Sequence, residues 1–230
     1  LQSVPSAYNT AGKAMRRKLG DNLKRVRERI AAACQRSGRR LEDVRLVAVT
    51  KTVEVDVIRS AIEAGLCDLG ESRVQELVKR ASMIQEQLSR RRIMNDSPPP
   101  QPHWHMVGHL QRNKVHSLLP WVHMIHSVDS LRLAEEISAQ AARIGKTLPV
   151  TIEVNVSGEK SKFGIAVGAV SHLLAHIKGL PGLNIVGLMT MAPLEEDVQA
   201  TRPHFARLRE LAEDLRAEGV AGPGFRELSM

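Results

Sequence analysis

Short β-branched or apolar runs, each followed by a stretch with helical spacing, recur along this chain, and that alternation constrains the fold more than any other feature. Strand character is read at 44–50, 67–70, 105–108, 124–127, 149–156, 184–190 and 225–230. Helical spacing is read at 8–37, 55–64, 74–87, 114–118, 130–144, 169–177 and 199–217. Strands that alternate with helices are joined by right-handed crossovers, which makes the sheet parallel. Seven such starts in 230 residues predict an α/β chain with a TIM-type (β/α)8 barrel, a fold of about 250 residues in which a helix follows each strand. An open doubly wound sheet is the alternative. Residues 1–230 read as one domain, with helix 8–37 added before the first strand.

Within that first helix Leu19, Leu23, Val26, Ile30 and Ala33 recur at steps of three and four, and Gly38 stands where a C-cap belongs. One segment interrupts the alternation. From 89 to 102 the chain reads Ser-Arg-Arg-Arg and then places Pro98, Pro99 and Pro100 in a row, which predicts a solvated loop. Arg90, Arg91 and Arg92 are either a basic patch for a polyanion or the end of a helix.

Composition narrows the function classes. A hydrophobic share of 43% supports a sizeable core and excludes disorder as the dominant state. Lys and Arg outnumber Asp and Glu by 33 to 25, a net charge of +8, yet only 3% of residues are aromatic, too few for stacking on single-stranded nucleic acid. Neither a specific nucleic-acid partner nor a membrane is expected, because no run approaches the roughly 20 apolar residues of a membrane helix. Cys34 and Cys67 fit no disulfide or zinc pattern, which suits a cytoplasmic protein.

Lys51 ends the apolar run Leu46-Val47-Ala48-Val49-Thr50, at the strand end where barrel active sites lie. Desolvation there would favour the neutral amine and with it a Schiff base to a carbonyl compound or to pyridoxal phosphate (PLP). The alternative is a lysine that reaches out to water. The polar residues Glu153, Asn155 and Ser157 alternate with apolar ones, so they share one strand face and line the barrel interior or mouth. A carboxylate there needs a partner, an inward lysine being the natural one, or else belongs to a structural polar layer. His103 and His105 share a face, with His109 beyond them and His123 and His126 the nearest later histidines. They are packed imidazoles or the start of a metal site, and no complete metal set is evident. No glycine-rich nucleotide loop is present.

At Lys51 the chain resembles the PLP homeostasis proteins, PLP-binding proteins of the alanine-racemase N-terminal-domain type. The run Leu46 to Thr52 is similar to that family's lysine strand, and four more segments agree in order. They are Trp104-His105-Met106-Val107-Gly108-His109-Leu110-Gln111-Arg112-Asn113-Lys114, Ile125-His126-Ser127-Val128-Asp129-Ser130, Glu153-Val154-Asn155-Val156-Ser157-Gly158-Glu159-Lys160-Ser161-Lys162-Phe163-Gly164 and Gly187-Leu188-Met189-Thr190-Met191-Ala192-Pro193. Leu228-Ser229-Met230 resembles the start of a Ser-Met-Gly-Met-Ser stretch, so the likeness runs from about Leu19 to Met230.

The resemblance implies a single PLP-binding TIM barrel with the cofactor held as a Schiff base on Lys51. It further implies that Asn155 and Met189 line the cofactor pocket, that Ser229 touches the phosphate, and that His105 joins them if strand parity turns it inward. Family members are regarded as PLP carriers or buffers in vitamin B6 homeostasis, without established turnover, and PLP-dependent apo-enzymes are the implied recipients. The alternative is a PLP-dependent amino-acid racemase or isomerase. Racemisation needs two positioned acid/base groups, and the second, β-rich domain that supplies one in alanine racemase has no counterpart here. Two departures stand out: Ser72 and Arg73 replace the usual Asn-Tyr after the second strand. The family's C-terminal strand and phosphate loop also lie beyond Met230, so weaker PLP retention and an unpaired strand edge are expected of residues 1–230 alone.

Overall fold

The computed structural model describes residues 7–94, 100–159 and 161–230. In chain order they form α1 (Ala7–Ser37), β1 (Ala48–Val49), α2 (Val55–Glu63), β2 (Asp68–Glu71), α3 (Val74–Met94), β3 (His103–Met106), α4 (Val115–Leu118), β4 (Val122–Val128), α5 (Leu131–Arg143), β5 (Leu148–Asn155), β6 (Ile165–Ala166), α6 (Val170–Ile177), β7 (Leu183–Met189), α7 (Arg202–Ala217) and β8 (Glu227–Ser229). This is the α/β alternation read from the sequence, the TIM-type order with seven principal strands, plus the two-residue β6. The described residues fall into two compact units, the first drawn from 7–69, 83–94 and 100–103 and the second from 70–82, 104–159 and 161–230.

In the first unit the apolar stripe of α1 finds its partners. Leu23 packs with Ala61 of α2 and with Leu66, and Leu19, Leu46 and Ala48 close the cluster. Since Leu46 and Ala48 turn toward the helices, period-two alternation turns Val47, Val49 and Lys51 to the other face of β1. A Schellman motif ends α2: Gly65 lies at φ +83°, its N–H bonds the Ile62 carbonyl, and the Leu66 N–H bonds that of Ala61.

Two expectations for this unit change. The strand expected over 44–50 is paired only at Ala48–Val49, after a 3-10 turn at Leu41–Asp43. Its β-branched residues do extend the backbone, as at Val44 (φ −119°, ψ 117°), but a ladder also needs a partner strand. The loop expected over 89–102 begins later, because α3 continues through Ser89 and the three arginines to Met94. Arginine is a good helix former, and the Arg90 guanidinium lies 2.7 Å from the Glu86 carboxylate one turn earlier. Pro98 and Pro99 lie outside the described residues, and Pro100 to Pro102 is irregular.

In the second unit β3, β4, β5, β7 and β8 pair in that order, all parallel, with β6 joined separately to β5. Register sets Glu153 beside Met189 and Met189 beside Ser229. Ile125, Val150 and Ile152, with Leu133, Ala134 and Ile137 of α5, are almost wholly removed from solvent. The Ser130 side chain caps α5 by accepting from the Leu133 N–H. The third strand starts two residues earlier than expected and stops before Gly108, whose backbone lies so close to that of Ser72 that a Cβ would collide.

Gly187 has the same function between β7 and β8. A Cβ there would run into the Glu227 carbonyl, so only glycine lets the two strands meet. Gly187→Val is expected to lower stability by about 1–3 kcal/mol and to pull β8 away. Urea titration reads the first effect. Hydrogen exchange at the Thr190 N–H, which is bonded to the Ser229 carbonyl, reads the second.

Candidate functional site

The strands of the second unit curl enough for β4 to touch β8 across β5 and β7. His126 Nδ1 of β4 lies 2.7 Å from Ser229 Oγ of β8, and His126 Nε2 lies 2.9 Å from His105 Nδ1 of β3. Both imidazoles are buried, with ring centroids 5.2 Å apart. Two links of this chain are held through their carbonyls: the Thr151 hydroxyl donates to the His126 carbonyl, and the Thr190 N–H donates to the Ser229 carbonyl. Neighbouring residues in a parallel register share a face, so Glu153, Met189 and Ser229 line the same side of the sheet. The contact with His126 brings His105 next to this set, and the register places Met189 and Ser229 beside each other on neighbouring strands.

Glu153 is 6% exposed, and its Oε2 has no hydrogen-bond partner among the described residues. Burial, with the charge of Asp129 as a second cause, pushes its carboxyl up to about 7. One oxygen of this buried carboxyl thus lacks the partner it requires, and the raised pKa makes the protonated form more accessible than in an ordinary glutamate. Asp129 lies at the end of β4, where its Oδ2 is 3.0 Å from His109 Nδ1, and the His109 ring stacks on Phe163 at a centroid distance of 4.2 Å. Phe163 is largely exposed. A carboxyl near neutrality, an imidazole–carboxylate pair and an exposed ring therefore gather at the C-terminal strand ends.

Other expected residues behave differently. Asn155 spends its side chain on its own turn, Nδ2 donating to the Glu159 carbonyl and Oδ1 accepting from Ser157 Oγ and the Gly158 N–H. Lys51 lies in the turn after β1 and is exposed, so the desolvation expected of it is not provided. The strand ends at Val49, half exposed on the same face, and Thr50 is buried on the opposite one. The other two histidines singled out from the sequence are engaged separately: His103 faces Asp68 at 3.4 Å, and His123 Nδ1 accepts from the Trp104 N–H. Among the described residues no group of three or more His, Cys, Asp or Glu is placed to hold a metal, and no helix is long and apolar enough to cross a membrane.

Sequence reasoning noticed His126 only as a possible ligand and missed its bond to Ser229, 103 residues away. It also missed the ion pair between Glu71 of β2 and Arg80 of α3, both nearly buried. Nothing in local spacing signals either contact.

Comparison with known proteins identifies the family and the fold. The profile of the family described as "Alanine racemase, N-terminal domain" matches residues 22–230. The pyridoxal phosphate homeostasis protein of Aquifex aeolicus is 37% identical over 198 residues, covering 86% of this chain and 81% of the relative. Its human namesake is 36% identical over 86% of this chain and 71% of the relative. The structure of PipY of Synechococcus elongatus with PLP bound superposes with a TM-score of 0.72 at 30% identity, covering 89% of this chain and 88% of that one. Alanine racemase of Clostridium difficile shares the fold, with a TM-score of 0.63 at 14% identity over 82% of this chain and 49% of that one. By this coverage and identity, the chain belongs to the pyridoxal phosphate homeostasis protein family and has the alanine racemase N-terminal-domain fold.

Proposed function

We propose that this protein binds PLP, carries it as a Schiff base on Lys51, and acts in the cytoplasm in PLP homeostasis, holding and releasing the cofactor without turning over a substrate. Support comes from the family and from one structural observation. His105, Met189 and Ser229 share a curled face with a buried carboxyl whose Oε2 lacks a partner. A buried polar atom in that state calls for a ligand or a water. A planar aromatic phosphate ester suits such a face, with the Ser229 hydroxyl as a donor to an anion and the Met189 thioether as an apolar contact. When bound, PLP supplies a conjugated aldehyde and an electron-accepting ring. Lys51 would hold the cofactor through its Nζ, and the aldehyde that PLP supplies would be the carbonyl with which that amine condenses, releasing water. Exposure of Lys51 keeps its amine within reach of an incoming cofactor and of a departing one, as a carrier requires. Recipients of the cofactor would be PLP-dependent apo-enzymes.

Lys51→Ala tests this reading. The wild-type protein mixed with PLP is expected to show a shifted absorbance band that borohydride reduction fixes, and the variant to lose it entirely. A variant that retains the band would rule out Lys51 as the carrier.

A further inference from the structure

The nitrogens that face each other at 2.9 Å, His105 Nδ1 and His126 Nε2, share a single hydrogen, and that restriction sets the behaviour of Ser229. Two neutral arrangements satisfy both contacts. In one, the Ser229 hydroxyl donates to His126 Nδ1, and His126 Nε2–H donates to His105. The serine hydrogen is then spent inward, and Ser229 shows only lone pairs to a ligand. In the other, His105 Nδ1–H donates to His126 Nε2, and His126 Nδ1–H donates to Ser229 Oγ. The serine hydrogen is then free to point away from the imidazole.

An anion accepts hydrogen bonds and repels lone pairs, so it is compatible only with the second arrangement. We propose that the buried His105–His126 pair is a positioning relay that makes the Ser229 hydroxyl a donor to the phosphate of a bound phosphate ester. This rests on the reading of Ser229 as a phosphate contact and adds what sets the direction of that contact. The relay is preorganised: both rings are buried, the His126 carbonyl is held by Thr151, and the Ser229 carbonyl is held by Thr190. His126 touches no ligand in this account. It acts through Ser229.

The test compares Kd for PLP with Kd for pyridoxal, which lacks the phosphate, in the full chain and in two variants. His126→Leu removes the donor, whereas His126→Asn places an amide N–H where Nδ1–H stood. The preference for PLP over pyridoxal is expected to fall by up to about tenfold in His126→Leu, where the hydroxyl of Ser229 keeps its hydrogen but nothing orients it toward the phosphate, and to return toward the wild-type value in His126→Asn. An unchanged preference in the Leu variant, or an equal loss for both ligands, would overturn the relay. Nitrogen-15 spectra of the wild-type histidines with inorganic phosphate give an independent readout. A hydrogen on His126 Nδ1 in the phosphate-bound protein supports the relay, and a bare Nδ1 contradicts it. Should wild type bind neither PLP nor pyridoxal, the cofactor reading fails, and the relay is judged on the phosphate spectra alone.

Discussion

Arg80→Met is expected to destabilise the protein by about 3 kcal/mol or more. The Arg80 guanidinium meets the Glu71 carboxylate with side-chain exposures of 11% and 1%, and Glu76 lies 3.6 Å from its Nε. Glu71 ends β2, and its carbonyl accepts from the Val107 N–H just past β3, so the pair ties α3 to the strands it follows. Removing the guanidinium takes the counter-charge from a carboxylate that solvent cannot reach, and such losses commonly cost about 3–5 kcal/mol. The further change Glu71→Gln should recover part of it, because the buried carboxylate charge is then absent. Urea midpoints of the single and double variants measure both terms. A loss below about 1 kcal/mol in Arg80→Met would mean that the pair behaves like a surface contact.

Stability should also fall as pH rises from about 4.5 to 7, and Glu153 is the cause. Its carboxyl has a pKa of about 7 when folded, against 4.5 for the ordinary group. Between those values the native state binds a proton that the unfolded state has released, so ν_U − ν_N is negative and raising the pH lowers the unfolding free energy. Above about pH 7 both states are ionised and the effect levels off at roughly 3 kcal/mol. Glu153→Gln mimics the protonated side chain. The variant should therefore match wild type near pH 4.5 and exceed it by up to roughly 3 kcal/mol at pH 8, as read by chemical denaturation at each pH. A constant difference across that range would show that the carboxyl ionises normally.

How far the sequence could be read follows from which interactions are local. Helix and strand placement were legible because the alternation of periods three-to-four and two is local, and so was the stop of α2 at Gly65. The end of α3 was legible only in part: the loop was expected from Ser89, yet the end of a helix was one reading of Arg90 to Arg92, and helix propensity with the Arg90–Glu86 pair carries α3 to Met94. The shared face of Glu153, Met189 and Ser229 could be anticipated from strand parity and family likeness together. The exposure of Lys51 was one of two readings the sequence left open, since burial depends on what packs beside a strand end. The links His126–Ser229 and Glu71–Arg80 were hidden for a further reason, as curl and helix docking create them.

The central claim is that Lys51 carries the cofactor, and peptide mapping after borohydride reduction of the protein mixed with PLP tests it most directly. The account predicts one pyridoxyl group, on the peptide containing Lys51. An adduct confined to other lysines, or no adduct while PLP still binds, would contradict it.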